Sequence, residues 1–163
     1  MIAVDENSKP FTNVDSFAVE KSDPGTFAGG TTDARGDDGG ALDGAAIYTV
    51  TGEVLVRIFG VCTTTLVGAA TIEVGVAGNT AALIAQIADA TALITSEIWL
   101  DATPTTLGVD TLANVLGPYV VVNSLDIIET VGTANITAGE LHYICLWRPL
   151  SQDGNVVSAY ALP

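Results

Sequence analysis

The sequence predicts an all-β fold, an antiparallel β-sandwich or small barrel preceded by an extended N-terminal arm. Three observations carry that reading. From Ala45 onward, short apolar stretches alternate with polar residues at the strand period of two. Gly, Thr and Pro breaks separate these stretches, and no helix-length segments alternate with them as a parallel α/β sheet would require. Before Ala45, apolar residues are sparse and Gly and Asp are frequent. The chain of 163 residues therefore divides into an arm, 1–44, and a body, 45–163, long enough to bury a core without a disulfide or metal staple.

In the arm, Phe11, Val14, Phe17, Val19 and Phe27 sit singly among polar residues. Residues 28–44 (AGGTTDARGDDGGALDG) have no period and few side chains able to offset the entropy of ordering. Alone, such a segment is a flexible arm. Phe11, Phe17 and Phe27 have two readings, as anchors on a partner or as a cover for the edge of the chain's own body. The sequence leaves both open.

The body reads as a series of strands. Residues 53–61 (EVLVRIFGV) place Val54, Val56 and Ile58 on one face and Leu55, Arg57 and Phe59 on the other, with β-branched enrichment. Residues 71–76 (TIEVGV) put Ile72, Val74 and Val76 together, and Gly78-Asn79 supplies a two-residue hairpin turn. Residues 80–95 carry two signals. Leu83, Ile84, Ile87, Thr91 and Ile94 fit helical spacing, whereas the hairpin context selects a strand. Residues 98–100 form a short strand ended by Asp101 and Pro104. A loop or one short helix follows over 105–117, with Asp110 as a start cap and Gly117 as a stop.

Residues 119–123 and 126–131 are strands, and 139–150 (GELHYICLWRPL) form the strongest one. Leu141, Tyr143, Cys145 and Trp147 share one of its faces, and His142, Ile144, Leu146 and Arg148 the other. Bulk on both faces predicts a central strand or one covered on both sides. Pro149 ends it, Asp153-Gly154 turns the chain, and 156–162 form a last edge strand.

Charge narrows the function. Asp and Glu outnumber Lys and Arg 19 to 5, for a formal net charge of -14. This excludes nucleic acid and anionic membrane as natural partners, since both need basic surface. No apolar run is long enough to span a membrane, and the acidic N-terminus is unlike a secretory n-region, so a soluble chain without an export signal is expected. Cys62 and Cys145 are then expected as free thiols.

His142 is the only histidine, which excludes a His-based triad and a multi-His metal site within one chain. Its ordinary reading is a packed strand histidine. No nucleophile elbow, phosphate loop or dinucleotide fingerprint appears. No catalytic, cofactor-binding or metal-binding residue, and no cofactor, is therefore expected, and the chain is read as a protein other than an enzyme. Asp33, Asp37, Asp38 and Asp43 fail the calcium-loop pattern, because Arg35 and Gly44 occupy ligand positions. They read as a solvated acidic loop. Arg35-Gly36-Asp37 spells the integrin tripeptide, a three-residue match to which no function is assigned. Asn135-Ile136-Thr137 is a sequon, idle without export. Arg57 and Arg148 are the only bases after Ala45. Their ordinary reading is an internal ion pair, with Glu53, Glu73 or Glu140, and their functional reading is an interface anchor.

Residues 51–76 (TGEVLVRIFGVCTTTLVGAATIEVGV), followed by AGNTAALIAQ, resemble structural proteins of tailed bacteriophages, as do residues 134–157 (ANITAGELHYICLWRPLSQDGNVV). Within that group the chain most resembles small head-decoration, or cement, proteins. The resemblance spans roughly the last two-thirds of the chain and rests on texture and short phrases. It implies a β-rich virion protein made in the host cytoplasm. Such a protein sits on the outer capsid surface, binds the major capsid protein, often as a homotrimer, and stabilises contacts between capsid subunits. It implies no catalytic residues. The alternative is a tail, baseplate or fibre-associated β module that contacts a receptor or glycan.

Overall fold

The computed structural model describes residues 17–31, 33–104, 108–110 and 117–160. Within them the chain forms ten strands: β1 (Ala18–Ser22), β2 (Ala46–Thr51), β3 (Val54–Val67), β4 (Thr71–Val76), β5 (Asn79–Ile87), β6 (Ile98–Trp99), β7 (Tyr119–Val121), β8 (Ile127–Gly132), β9 (Ala138–Pro149) and β10 (Asn155–Ser158). One 3-10 turn, Ala90–Ala92, lies between β5 and β6. Among the described residues no helix is long and apolar enough to cross a membrane.

The strands make two antiparallel sheets, and the fold is a β-sandwich. One sheet runs β1-β9-β3-β6, with β7 also paired to β3, and the other runs β10-β2-β8-β4-β5. β3 and β9, with 14 and 12 residues, pair along most of their length and set the frame of the first sheet. β3 shows why these residues form a strand facing a core: Val54, Val56, Ile58, Gly60 and Cys62 are buried, and the residues between them are half-buried. Ile72 and Val74 from β4, Ile84 from β5 and Ile127 from β8 answer from the second sheet, and Tyr48, Trp99, Leu141 and Tyr143 complete the core.

Cys62 and Cys145 are both buried free thiols. Cys62 lies across from Leu141 and Cys145 across from Ile58, so the two are offset by four positions along the ladder. At about 3.3 Å per residue that offset is roughly 13 Å, too far for a disulfide.

Several sequence expectations change in detail. β9 is central, as its two bulky faces require, but Trp147 at its end is only half-buried, and the fully buried indole is Trp99. The β4–β5 turn is Ala77-Gly78, one residue earlier than expected, with Val76 opposite Asn79 and Gly78 at φ +86°. The strand expected over 80–95 stops at Ile87. Asp89 then caps the 3-10 turn by accepting the Thr91 N–H at 3.0 Å, and Ala90 and Leu93 drop into the core. Leu83, Ile84 and Ile87 lie in β5, where a register shift against β4 sets Ile84 and Ile87 three residues apart opposite Val74 and Ile72, and only Thr91 falls in the 3-10 turn. Most of the loop expected over 105–117 lies outside the described residues.

The largest difference concerns the arm. β1 pairs with β9, Phe27 is 2% exposed in the core, and residues 28–31 and 33–44 pack against the body instead of standing free. The compositional boundary at 44/45 is therefore not a boundary in packing. The reason is a buried charge. Arg35 is 7% exposed and donates from Nε to Glu129 Oε1 at 2.9 Å and from a terminal nitrogen to Oε2 at 2.6 Å. The same guanidinium also donates to the Gly25 and Leu141 carbonyls and lies 3.9 Å from the centroid of the Phe27 ring. Tyr143 donates its hydroxyl to Glu129 as well. Burial opposes the Arg35 charge, but the Glu129 carboxylate outweighs it and the pKa is raised. Counting apolar residues in 28–44 misses this, because the partner carboxylate is 94 positions away.

Candidate binding face

The two outer faces of the sandwich differ in chemistry. On the β10-β2-β8-β4-β5 sheet, the outward residues include Thr49, Thr51, Thr71 and Thr130, and Glu73 accepts a hydrogen bond from Gln86 at 2.7 Å. On the β1-β9-β3 sheet, residues directly opposite each other share a face. The outward pairs are Leu55 with Arg148, Arg57 with Leu146, Phe59 with Ile144 and Val61 with His142. β1 adds Val19 opposite Leu146 and Lys21 opposite Ile144, and β7 adds Val120 opposite Leu55. Val19 is 64% exposed and Val120 is 59% exposed, while Leu55, Phe59, Ile144 and Leu146 are half-buried. This face carries an apolar stripe.

The same face gathers three of the chain's cations. The described residues hold four bases, Lys21, Arg35, Arg57 and Arg148. Arg35 is spent inside the fold on Glu129. The other three all lie on the β1-β9-β3 outer face, in a chain of net charge -14. Phe17 sits between two of them, with the Cζ atoms of Arg57 and Arg148 each 5.7 Å from its ring centroid. Both contacts are within cation–π range.

Phe17, Arg57 and Arg148, read in the sequence as two separate sets, thus form one cluster. The ion pair expected for Arg57 is not there: among the described residues it pairs with no carboxylate, and its Nε is buried without a hydrogen-bond partner. Glu73 is taken by Gln86 and Glu140 by His142. Phe27 is a core residue, so the anchor role read for it does not hold. Its ring packs under Arg35, which leaves no surface for a partner. Phe11 lies outside the described residues. Lys21 was not singled out in the sequence. Its place on this face follows from β1 joining the sheet, which the polar composition of the arm conceals.

The remaining motifs are structural. In Arg35-Gly36-Asp37 the arginine is internal, Gly36 holds φ +96°, and Asp37 accepts the Gly30 N–H at 2.8 Å. A Cβ on Gly36 would stand 2.8 Å from the Phe27 ring. Asp43 is likewise a turn acceptor, taking the Gly39 N–H at 3.1 Å and the Val131 N–H at 2.8 Å. Asn135 accepts the Asp38 N–H at 2.9 Å, which ties the sequon to this loop. Burial pushes the Cys62 thiol up to about 11 and the Cys145 thiol up to about 12, so both are held protonated. A pocket between β5 and β7, lined by Val76, Leu83, Tyr119, Val121 and Leu125, contains no carboxylate, thiol or imidazole.

Three potential metal ligands converge beside the apolar stripe, where His142 Nε2 lies 2.8 Å from Glu140 Oε1 and 3.3 Å from Asp23 Oδ1. In comparisons with known proteins, no family model, no curated protein and no solved structure matches this chain.

Proposed function

We propose that this protein is a non-catalytic structural module that docks on a protein surface through the outer face of the β1-β9-β3 sheet. The observation that carries the reading is the joint placement of Lys21, Arg57 and Arg148 among Leu55, Phe59, Ile144 and Leu146 on one face of an acidic chain. Such a face suits a partner that is apolar at its centre and bears carboxylates opposite Lys21 and Arg57. Arg and aromatic side chains ringed by apolar contact are the usual carriers of interface energy. The strongly negative remainder keeps the module off nucleic acid and limits wrong associations.

The likeness of residues 51–76 and 134–157 to phage head-decoration proteins supports taking that surface to be the outside of a capsid. In this reading the module bridges neighbouring major capsid protein subunits, and trimerisation together with repetition over the shell multiplies modest contacts. No nucleic acid, membrane or cofactor takes part.

The test mixes purified particles with the full chain and with its Leu146→Asp/Arg57→Glu variant, then sediments them. Wild type is expected to pellet with capsids, and the variant to bind at least about tenfold more weakly, the scale of a lost hot spot. Raising salt should weaken the wild type only partly, because the apolar centre is not screened. Equal binding by both proteins would remove this face from the mechanism. Decoration of tails instead of capsids would replace the capsid reading with the tail-module one.

A further inference from the structure

We infer that Asp23, Glu140 and His142 form a binding site for a first-row transition-metal dication, with zinc as the natural probe. The site is built by the sheet. β1 and β9 run antiparallel with Ser22 opposite Tyr143, so Asp23, the next residue, falls opposite His142. Glu140 precedes His142 by two residues on β9 and so points to the same face. Thr26 bridges back to Glu140, and Asp23 Oδ1 accepts the Gly25 N–H at 3.1 Å, so the segment after β1 is held where the carboxylate is needed.

The three ligand atoms lie within 4.8 Å of one another. The distances from His142 Nε2 are 2.8 Å to Glu140 and 3.3 Å to Asp23. Metal–ligand bonds of about 2.0–2.2 Å give ligand–ligand edges of about 2.9–3.5 Å for octahedral to tetrahedral arrangements. Both spacings from His142 fall at or close to that range, and the two carboxylates, within 4.8 Å of each other, flank the same imidazole nitrogen. One ring nitrogen, His142 Nε2, faces two carboxylates. A dication held among them would neutralise both carboxylates.

The donor set selects the class of ion. One imidazole and two carboxylates suit zinc and its first-row neighbours, whereas calcium and magnesium favour oxygen-only shells. The side chains are 15–29% exposed, so the site is sheltered but open for water or a further ligand to complete the coordination. The net charge of -14 raises the local concentration of cations. The single histidine excludes a multi-His site but not this mixed one, whose carboxylates come from positions that only strand pairing brings together. A bound ion would tie edge strand β1 to central strand β9 and stabilise the fold by mass action. The inference is independent of the docking partner.

The experiment uses tag-free full-length protein with zinc titrated against a millimolar magnesium background, which occupies nonspecific carboxylate sites. His142 is the only histidine, so its imidazole NMR signals report the site directly. The expected result is a shift of those signals that saturates at one equivalent, with a rise in melting temperature. Asp23→Asn and His142→Gln should each weaken zinc binding by at least about tenfold, the scale seen even when an outer partner of a ligand is lost. Imidazole signals unmoved by one equivalent of zinc would overturn the inference without any variant. Undiminished zinc affinity in both variants would also overturn it.

Discussion

Gly60 lies directly opposite Trp99 in the β3–β6 ladder, and a Cβ on Gly60 would stand 3.3 Å from Cε3 of the indole. Gly60 is also opposite Tyr143 in the β3–β9 ladder. The missing side chain leaves room for Trp99 and Leu141, and the Trp99 ring in turn lies with its centroid 6.3 Å from that of Tyr143, the planes tilted by 53°. Trp99→Ala should therefore cost about 3–5 kcal/mol, and Gly60→Val about 1–3 kcal/mol through overpacking. Trp147→Ala, at a half-buried position, should cost less than Trp99→Ala. Urea unfolding followed by far-UV circular dichroism checks the order. In Trp147→Phe, the remaining emission should be that of a buried indole.

The Arg35–Glu129 pair fixes the fate of residues 28–44. Arg35→Met leaves Glu129 buried without its cation and should destabilise by about 3–5 kcal/mol. Arg35→Met combined with Glu129→Leu should lose less than the sum of the two single changes, because neither partner is then left alone. Trypsin gives a second readout. The Arg35–Gly36 bond should resist cleavage in the native state and be cut at a rate that follows global unfolding. Rapid native-state cleavage there would show that the loop opens on its own.

Both thiols should be silent to a thiol reagent near neutral pH in the folded protein and react fully in denaturant. Unfolded cysteines ionise around pH 8.5, whereas the folded ones do so at about 11 and 12. Between these values the unfolded chain has lost protons that the folded chain keeps, so stability falls as pH rises. Tyr48 and Tyr143, both raised by burial, extend the loss at higher pH. Unfolding midpoints measured between pH 8 and 11 should decline, and Cys62→Ala should flatten the first part of the decline.

Phe17 separates stability from binding. Its ring faces two guanidinium groups at a half-exposed site, so Phe17→Ala should cost no more than about 1–2 kcal/mol of stability. On the proposed partner surface the same change should weaken binding by about tenfold or more. Sedimentation with particles and thermal melting of the free protein measure the two effects independently. A large stability loss with unchanged binding would make Phe17 a structural cover only.

The strand pattern was legible from sequence because it is local. Side chains alternate with period two, so Val54, Val56 and Ile58 had to share a face, and so did Leu141, Tyr143 and Cys145. The same alternation already placed Leu55, Arg57 and Phe59 together opposite the core. Tertiary structure decided what depends on pairs distant in sequence. Residues 28–44 look unable to order themselves when only apolar area is counted, yet one arginine finding Glu129 across the sheet anchors them. Phe27 and Phe17 look alike in composition, but strand pairing sends one into the core and the other between Arg57 and Arg148. Asp23 has no local reason to meet His142, and only the antiparallel register of β1 on β9 brings them together. Local periodicity fixes which way a side chain points, and strand register fixes what it meets there.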